Sequence, residues 1–278
     1  MARIFLLGLL IVLAAIALIV DANDEISNEV LLGSVVAEPE YTANWDPIFS
    51  GSDVNGVLVL FNAEKRQLLT NNLLRAQTGF IPASTFKIAN GLIALELGVV
   101  TDAEDQYRWD KQPRSFNSWN QDHSFSSAFQ YSVVPIFQQI ARDIGKQRMS
   151  NMLASLNYGN ELIGGGLDRF WLEGSLRISA IEQIQFLQRL HGNTLPLSVR
   201  SQSIMKQVML TESADSYAIY AKTGYANNGA TDIGWWVGWV EKGESTVFFA
   251  LNLDLANIQQ AHLRQKLVKQ ILQFEQVI

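Results

Sequence analysis

Apolar positions fall along this chain in three successive patterns. Gly56-Val57-Leu58-Val59-Leu60-Phe61 is an unbroken apolar run of strand length. Asn62 to Lys65 supplies a turn, and Gln67 to Thr70 is suited to return as a second strand. From Ser84 to Leu97 the spacing turns helical, with Pro82 just before its start and Gly98 placed to end it. Ile88, Leu92, Ile93, Leu95 and Leu97 leave hardly any polar face, which predicts a buried central helix. Helical spacing returns over Pro135 to Gly145 and over Ile178 to Leu190. Between them, Tyr158 to Arg177 holds Gly159, Gly164, Gly165, Gly166 and Gly174, a density that predicts a long irregular loop. Such loops inside compact domains tend to be functional. Strand patterns resume in Ala218 to Gly224, Ile233 to Val240 and Ser245 to Leu255, with turns at Asn228-Gly229 and Lys242-Gly243. A last helix is expected over Gln259 to Val277, and there is no internal repeat.

The order strands, helices, strands, helix predicts an α/β protein of the α+β type. Its central antiparallel sheet is flanked by helices and interrupted by a mostly helical insertion. The expected division is one domain over 23–278, with a sheet part at about 40–80 and 205–278 and a helical part at about 81–204. Asp21 to about Pro47 is polar, acidic and weakly periodic, and reads as a poorly packed lead-in.

The first twenty-two residues read as an export signal. Arg3 is a minimal basic start, Ile4 to Val20 is apolar throughout, and Val20-Asp21-Ala22 offers a cleavage site. Ala15-Ile16-Ala17 offers a second. The apolar stretch falls short of the roughly 20 residues that span a bilayer; a retained anchor is the alternative. A secreted, periplasmic protein without stable membrane association follows from this reading.

Composition narrows the chemistry. Hydrophobic residues make up 48% and charged residues 17%, as in a globular protein with a large core. The net charge of −6 and the lack of any basic run argue against nucleic acid as a partner. The absence of cysteine excludes disulfides, thiolate zinc sites and a thiol nucleophile. His123, His191 and His262 are far apart in sequence and no His-Glu-x-x-His pair is present, so no metal is expected.

One motif offers nucleophilic serine chemistry. In Ser84-Thr85-Phe86-Lys87, positions i and i+3 share a helix face, which can bring an amine beside a hydroxyl. A serine hydroxyl is a weak nucleophile and needs an adjacent base. Alone the motif is weak: it recurs at Ser203-Ile204-Met205-Lys206, read here as an ordinary helix face. Ser132-Val133-Val134 and Lys222-Thr223-Gly224 follow in order, and Ser-x-Val too recurs, at Ser34-Val35-Val36. Ser132 can relay a proton to a leaving nitrogen, Lys222 can add positive charge opposite a substrate carboxylate, and Thr223 can donate to it. Gly224 lets a strand backbone come close to a ligand.

This ordered set resembles the penicillin-recognising serine enzymes. With Ser-Val-Val at the second element, rather than the Ser-Asp-Asn of class A, and with Tyr158-Gly159-Asn160 as a fourth, it resembles the class D, oxacillinase-type serine β-lactamases, nearest their carbapenem-hydrolysing branch. The resemblance covers about residues 40 to 275. It is dense around Ile81 to Ile88 and Ile233 to Trp239, the latter read as a sheet-core strand without a catalytic role.

That resemblance implies hydrolysis of the β-lactam ring through an acyl-Ser84 intermediate. It implies a Lys87 carboxylated by carbon dioxide or bicarbonate (N6-carboxylysine) as the base, and no other cofactor. Burial would favour the neutral amine that carboxylation needs. The resemblance further implies that Trp171 donates its indole N–H to the carbamate, and that Phe86, Val134 and Leu172 line an apolar pocket. Tyr225 would give a backbone N–H to an oxyanion hole with Ser84. Arg264 would bind the substrate carboxylate, and Trp109 and Tyr225 would wall its side chain. Small β-lactams are the expected partners, with homodimer formation left open. Ala226 to Asp232 has no basic residue where the carbapenem-hydrolysing relatives usually carry an arginine, so carbapenem turnover stays undecided. A penicillin-binding D,D-peptidase and an antibiotic-sensing domain share the nucleophile and are the competing readings.

Overall fold

The computed structural model describes residues 41–227, 229 and 231–278. The expected export signal, residues 1–22, and residues 23–40 lie outside them. In chain order the elements begin with β1 (Tyr41–Thr42), α1 (Asp46–Ser50), β2 (Gly56–Asn62), β3 (Gln67–Thr70) and α2 (Leu73–Gln77). A 3-10 turn, Ala83–Phe86, runs into α3 (Lys87–Glu96). A small ribbon, β4 (Gln106–Tyr107) with β5 (His123–Ser124), encloses a second 3-10 turn, Asn117–Trp119. Then come α4 (Phe125–Gln130), α5 (Val134–Ile144), α6 (Lys146–Leu156), α7 (Ala180–His191) and α8 (Val199–Met209). The chain closes with β6 (Leu210–Ser213), β7 (Ala218–Ala226), β8 (Asp232–Lys242), β9 (Ser245–Leu255) and α9 (Leu263–Phe274), the last preceded by a 3-10 turn over Ile258–His262.

The strands form one sheet in the order β1-β3-β2-β9-β8-β7-β6. Every pairing is antiparallel except β1 with β3. This is the sheet-with-helices architecture that the pattern predicts. β8 is buried from Asp232 to Val240, so it reads as a continuous hydrophobic run rather than an alternating one. Its side chains still alternate: Trp235, Val237 and Trp239 enter the core shared with α3, α5 and α7, and Trp236 and Val240 enter the core under α9.

Strand bounds agree closely with the sequence pattern, and helix bounds shift for identifiable reasons. α7 starts at Ala180 because Ser179 and Glu182 form a reciprocal capping box. The helix expected from Ser84 opens as a 3-10 turn and becomes α-helical at Lys87. Gly98 ends it with φ +67°, and Gly243 turns its hairpin with φ +60°. In the other expected turn Gly229 has φ +84°; Asn228 lies outside the described residues. Ser203 to Lys206 is an ordinary face of α8, where the Lys206 amine donates to the His191 carbonyl and Asn193 Oδ1.

The expectation of a loose lead-in as far as Pro47 is corrected. β1 pairs with β3, and Trp45 is fully buried, its Nε1 donating to Glu275 Oε1 at 2.8 Å. One indole gives this segment the burial that a periodic pattern would otherwise signal. Among the described residues no helix is long and apolar enough to cross a membrane, and no cluster of His, Asp or Glu could hold a metal ion.

Candidate active site

The turn that carries Ser84, the expected nucleophile, is held by the sheet. Trp235, in the middle of β8, donates its indole N–H to the Ile81 carbonyl at 2.8 Å. Thr85 Oγ1 donates to the Pro82 carbonyl at 2.7 Å and accepts from Gln183 Nε2 of α7 at 2.9 Å. A side chain at Gly224 would meet the Pro82 carbonyl at 3.0 Å and the Thr85 methyl at 3.1 Å. Here Gly224 lets β7 lie against the nucleophile turn, a closer partner than the ligand that sequence suggested.

In a 3-10 turn, residues three apart eclipse each other. Lys87 therefore stands over Ser84, and its Nζ donates to Ser84 Oγ at 2.7 Å. Ser84 retains 8% exposure and Lys87 none. The Lys87 ammonium faces the Phe137 ring, 5.3 Å from its centroid. Burial, and then the charge of Lys222, hold its pKa well below the ordinary lysine value.

Ser132 lies between α4 and α5 with φ +55°, a left-handed conformation that an L-residue adopts at a cost. That bend carries its hydroxyl to Lys222, whose Nζ donates to it. Lys222 is 3% exposed and lies over the Phe129 ring. Burial, then repulsion from Arg264, lowers its pKa to about 7. Neither Lys87 nor Lys222 has an ion-pair partner among the described residues.

β6 pairs with β7 only from Ala218 to Tyr220, so the edge of β7 beyond them has no strand partner among the described residues. Lys222 and Thr223 line a hollow of about 200 Å³ at that edge. Arg264, at the start of α9, reaches across to β7: its Nη1 donates to the Gly224 carbonyl at 2.5 Å and its Nε to Ala261 at 2.6 Å. Burial lowers its pKa to about 10. The Tyr225 hydroxyl donates to Asp232 Oδ2.

The glycine-rich segment is irregular, as its sequence predicts, but it is tightly pinned. Asn160 receives the Arg177 N–H at 2.9 Å and donates to the Ser175 carbonyl at 3.0 Å. Gly159 has φ +55°, and a side chain there would fall 2.1 Å from the Arg177 carbonyl oxygen. Trp171 is fully buried, with its ring 5.2 Å from that of Phe86, and its Nε1 has no hydrogen-bond partner among the described residues. Such an orphaned buried donor is rare and calls for an acceptor. Leu172 and Val134 are half-buried.

Trp109 is turned into its own loop, its indole donating to the Gln112 carbonyl at 3.0 Å. It lines a separate hollow of about 470 Å³ with Val133 and Trp119. Trp119, which the sequence reading did not single out, donates to the carbonyl of Tyr131, next to Ser132. Phe137 and Phe129, the apolar floors under the two amines, were missed as well. Phe137 lies one helical turn beyond Val134, so the spacing of α5 carried that hint.

Residues 52–273 match the model of the penicillin binding protein transpeptidase domain. The chain is 49% identical over 245 residues to β-lactamase OXA-48 of Klebsiella pneumoniae, covering 88% of this chain and 92% of that one. It is 41% identical over 256 residues to β-lactamase OXA-10 of Pseudomonas aeruginosa, covering 91% and 95%. The crystal structure of FUS-1 (OXA-85), a class D β-lactamase from Fusobacterium nucleatum subsp. polymorphum, superposes with a TM-score of 0.81 at 37% identity, covering 84% of this chain and 97% of that one.

Proposed function

The chain belongs to the class D β-lactamases, and from that premise we propose that it opens the β-lactam ring of penicillins by way of an acyl-Ser84 enzyme, with a carboxylated Lys87 as base. One observation carries the reading. The Lys87 amine is wholly buried, lacks a counter-ion among the described residues, and sits 2.7 Å from Ser84 Oγ. A buried, unpaired ammonium is costly, so the neutral amine that adds carbon dioxide is favoured. The unpartnered indole N–H of Trp171, on the Phe86 ring next to Lys87 in sequence, fits an anionic oxygen acceptor. Once formed, the carbamate supplies a negative charge that can take the Ser84 proton, release it to solvent once the acyl-enzyme has formed, and then take a proton from water and return it to Ser84 Oγ.

The other residues divide the work. Ser84 Oγ attacks the lactam carbonyl carbon and loses its proton, and the carbon–nitrogen bond breaks. The leaving nitrogen takes a proton from the Ser132 hydroxyl. Lys222, with a pKa of about 7, can replace that proton near neutral pH. Backbone N–H groups of Ser84 and Tyr225 would stabilise the oxyanion. Thr223 and Arg264 would bind the substrate carboxylate, and Val134 and Leu172 would keep the lysine pocket dry. Water then attacks the acyl carbon, Ser84 Oγ takes a proton back, and the ring-opened acid leaves. The apolar segment at residues 4–20 supports export to the periplasm, where such a substrate arrives.

The test is nitrocefin hydrolysis with and without bicarbonate across mildly acidic pH, where a carbamate decomposes. Bicarbonate should restore the activity lost there, and turnover indifferent to it would remove Lys87 carboxylation from the mechanism. A D,D-peptidase or a sensor would instead keep a lasting penicillin adduct on Ser84 by mass spectrometry.

A further inference from the structure

The segment that lacks a basic residue ends in an acid, and that acid has a definite partner. Asp232 opens β8 and is 5% exposed. It has no ion pair among the described residues; its carboxylate accepts the Tyr225 hydroxyl. The register explains the contact. Tyr225 lies opposite Gly234, and Asp232 is two residues before Gly234, hence on the same face of the sheet. Gly234 also leaves room for the third member. A side chain there would come within 3.2 Å of Arg264 Cδ, on the path by which that guanidinium reaches Gly224. Tyr225 is thus flanked by Asp232 on one side and Arg264 on the other. Burial, the hydrogen bond to Asp232 and its charge push the phenol up to about 12, so it remains a donor.

We propose that Asp232 is a positioning residue for substrate recognition: by accepting the Tyr225 hydroxyl it fixes the Tyr225 ring beside Arg264 as one wall of the cleft. This deepens the function proposed above and rests on it, because it needs Tyr225 and Arg264 to face the substrate. The bond spans the two strands of one hairpin, so it sets the angle of the ring without touching Ser84 or Lys87. Its loss acts mainly on how well the substrate is held.

The experiment measures KM and kcat for benzylpenicillin in Tyr225→Phe, Asp232→Ala, Asp232→Asn and the double variant Tyr225→Phe/Asp232→Ala. Tyr225→Phe and Asp232→Ala should each raise KM about fivefold, the scale of one lost hydrogen bond, with less effect on kcat. Asp232→Asn keeps an acceptor and should return KM to within about twofold of the wild type. The double variant should be no worse than either single change, since one bond is lost in all three. Unchanged KM in the single variants, or effects that multiply in the double, would overturn the inference and leave the proposed function standing. Absence of turnover in the wild type would remove both. If Asp232→Ala fails to fold, Tyr225→Phe alone decides, because it keeps the ring and deletes only the hydroxyl.

Discussion

β8 and the cleft beside Ser84 are buried to a similar depth and built to opposite rules. In β8, Trp235, Trp236, Val237 and Trp239 are apolar, closely packed and free of backbone strain. In the cleft, two lysines are buried without counter-ions among the described residues, Ala83 and Ser132 hold left-handed backbone angles, and an indole N–H has no partner among those residues. The strand carries stability, and the cleft lowers it in exchange for reactivity. The two regions meet at the bond from Trp235 to the Ile81 carbonyl, where the stable part holds the strained part in place.

The largest test of this contrast removes the reactive amine. Lys87→Ala should lower penicillin turnover about 10³-fold, with a slow-forming acyl adduct on Ser84 that persists in the mass spectrum. Ordinary turnover in that variant would mean the base lies elsewhere. Next, Val240→Ala in β8 should cost about 2 kcal/mol of stability in urea melts. Below its melting range it should keep kcat within about twofold of the wild type, because Val240 lies at the far end of β8 in the α9 core and lines no hollow with Lys222 or Thr223. A large kcat loss in folded Val240→Ala would erase the separation between the regions.

The smallest effect is a slope. The pKa of Lys222 in the folded protein is about 7, below the ordinary lysine value near 10.4. Between those values the unfolded chain binds more protons, so wild-type stability should rise with pH across that window. Below about pH 7 both states are protonated and the full penalty applies. Lys222→Met should flatten the rise, leaving the part due to Lys87, whose shift has the same sign. Parallel stability curves for wild type and Lys222→Met would show that this amine does not weaken the fold.

How much could be read beforehand follows the same division. Strands buried on both faces announce themselves, and Ser245–Leu255 matches its pattern residue for residue. β6 is mostly exposed and carries no such pattern. Only the Ser203–Lys206 face of α8 was foreseen, not its extent, because Ser201 and Gln202 share its buried face with Met205, Val208 and Met209, blurring the period. In the cleft, Ser84, Lys87, Ser132 and Lys222 could be singled out because the chemistry proposed for them calls for fixed residue types in fixed local spacing, and the fold brings Lys87 to Ser84 and Lys222 to Ser132. Their supports were not. Phe137 under Lys87, Phe129 under Lys222, Gln183 behind Thr85 and the acceptor for Tyr225 are brought in by tertiary packing. No local spacing encodes such contacts. Trp109 and Trp119 show the same limit: both are indoles on one loop, and only the folded chain shows that Trp119 donates to the carbonyl next to Ser132 while Trp109 donates within its own loop.

β2 has one last consequence, in time rather than space. Gly56 to Asn62 pairs along its length with Leu253 to Val247, and Trp45 waits for Glu275. While the chain is being synthesised, its first apolar strand emerges long before the strand that will cover it. Closure between such distant partners is slow, and the exposed run invites aggregation meanwhile. A binder of exposed apolar strands should therefore raise the yield of folded protein, because β2 stays uncovered until β9 has been made.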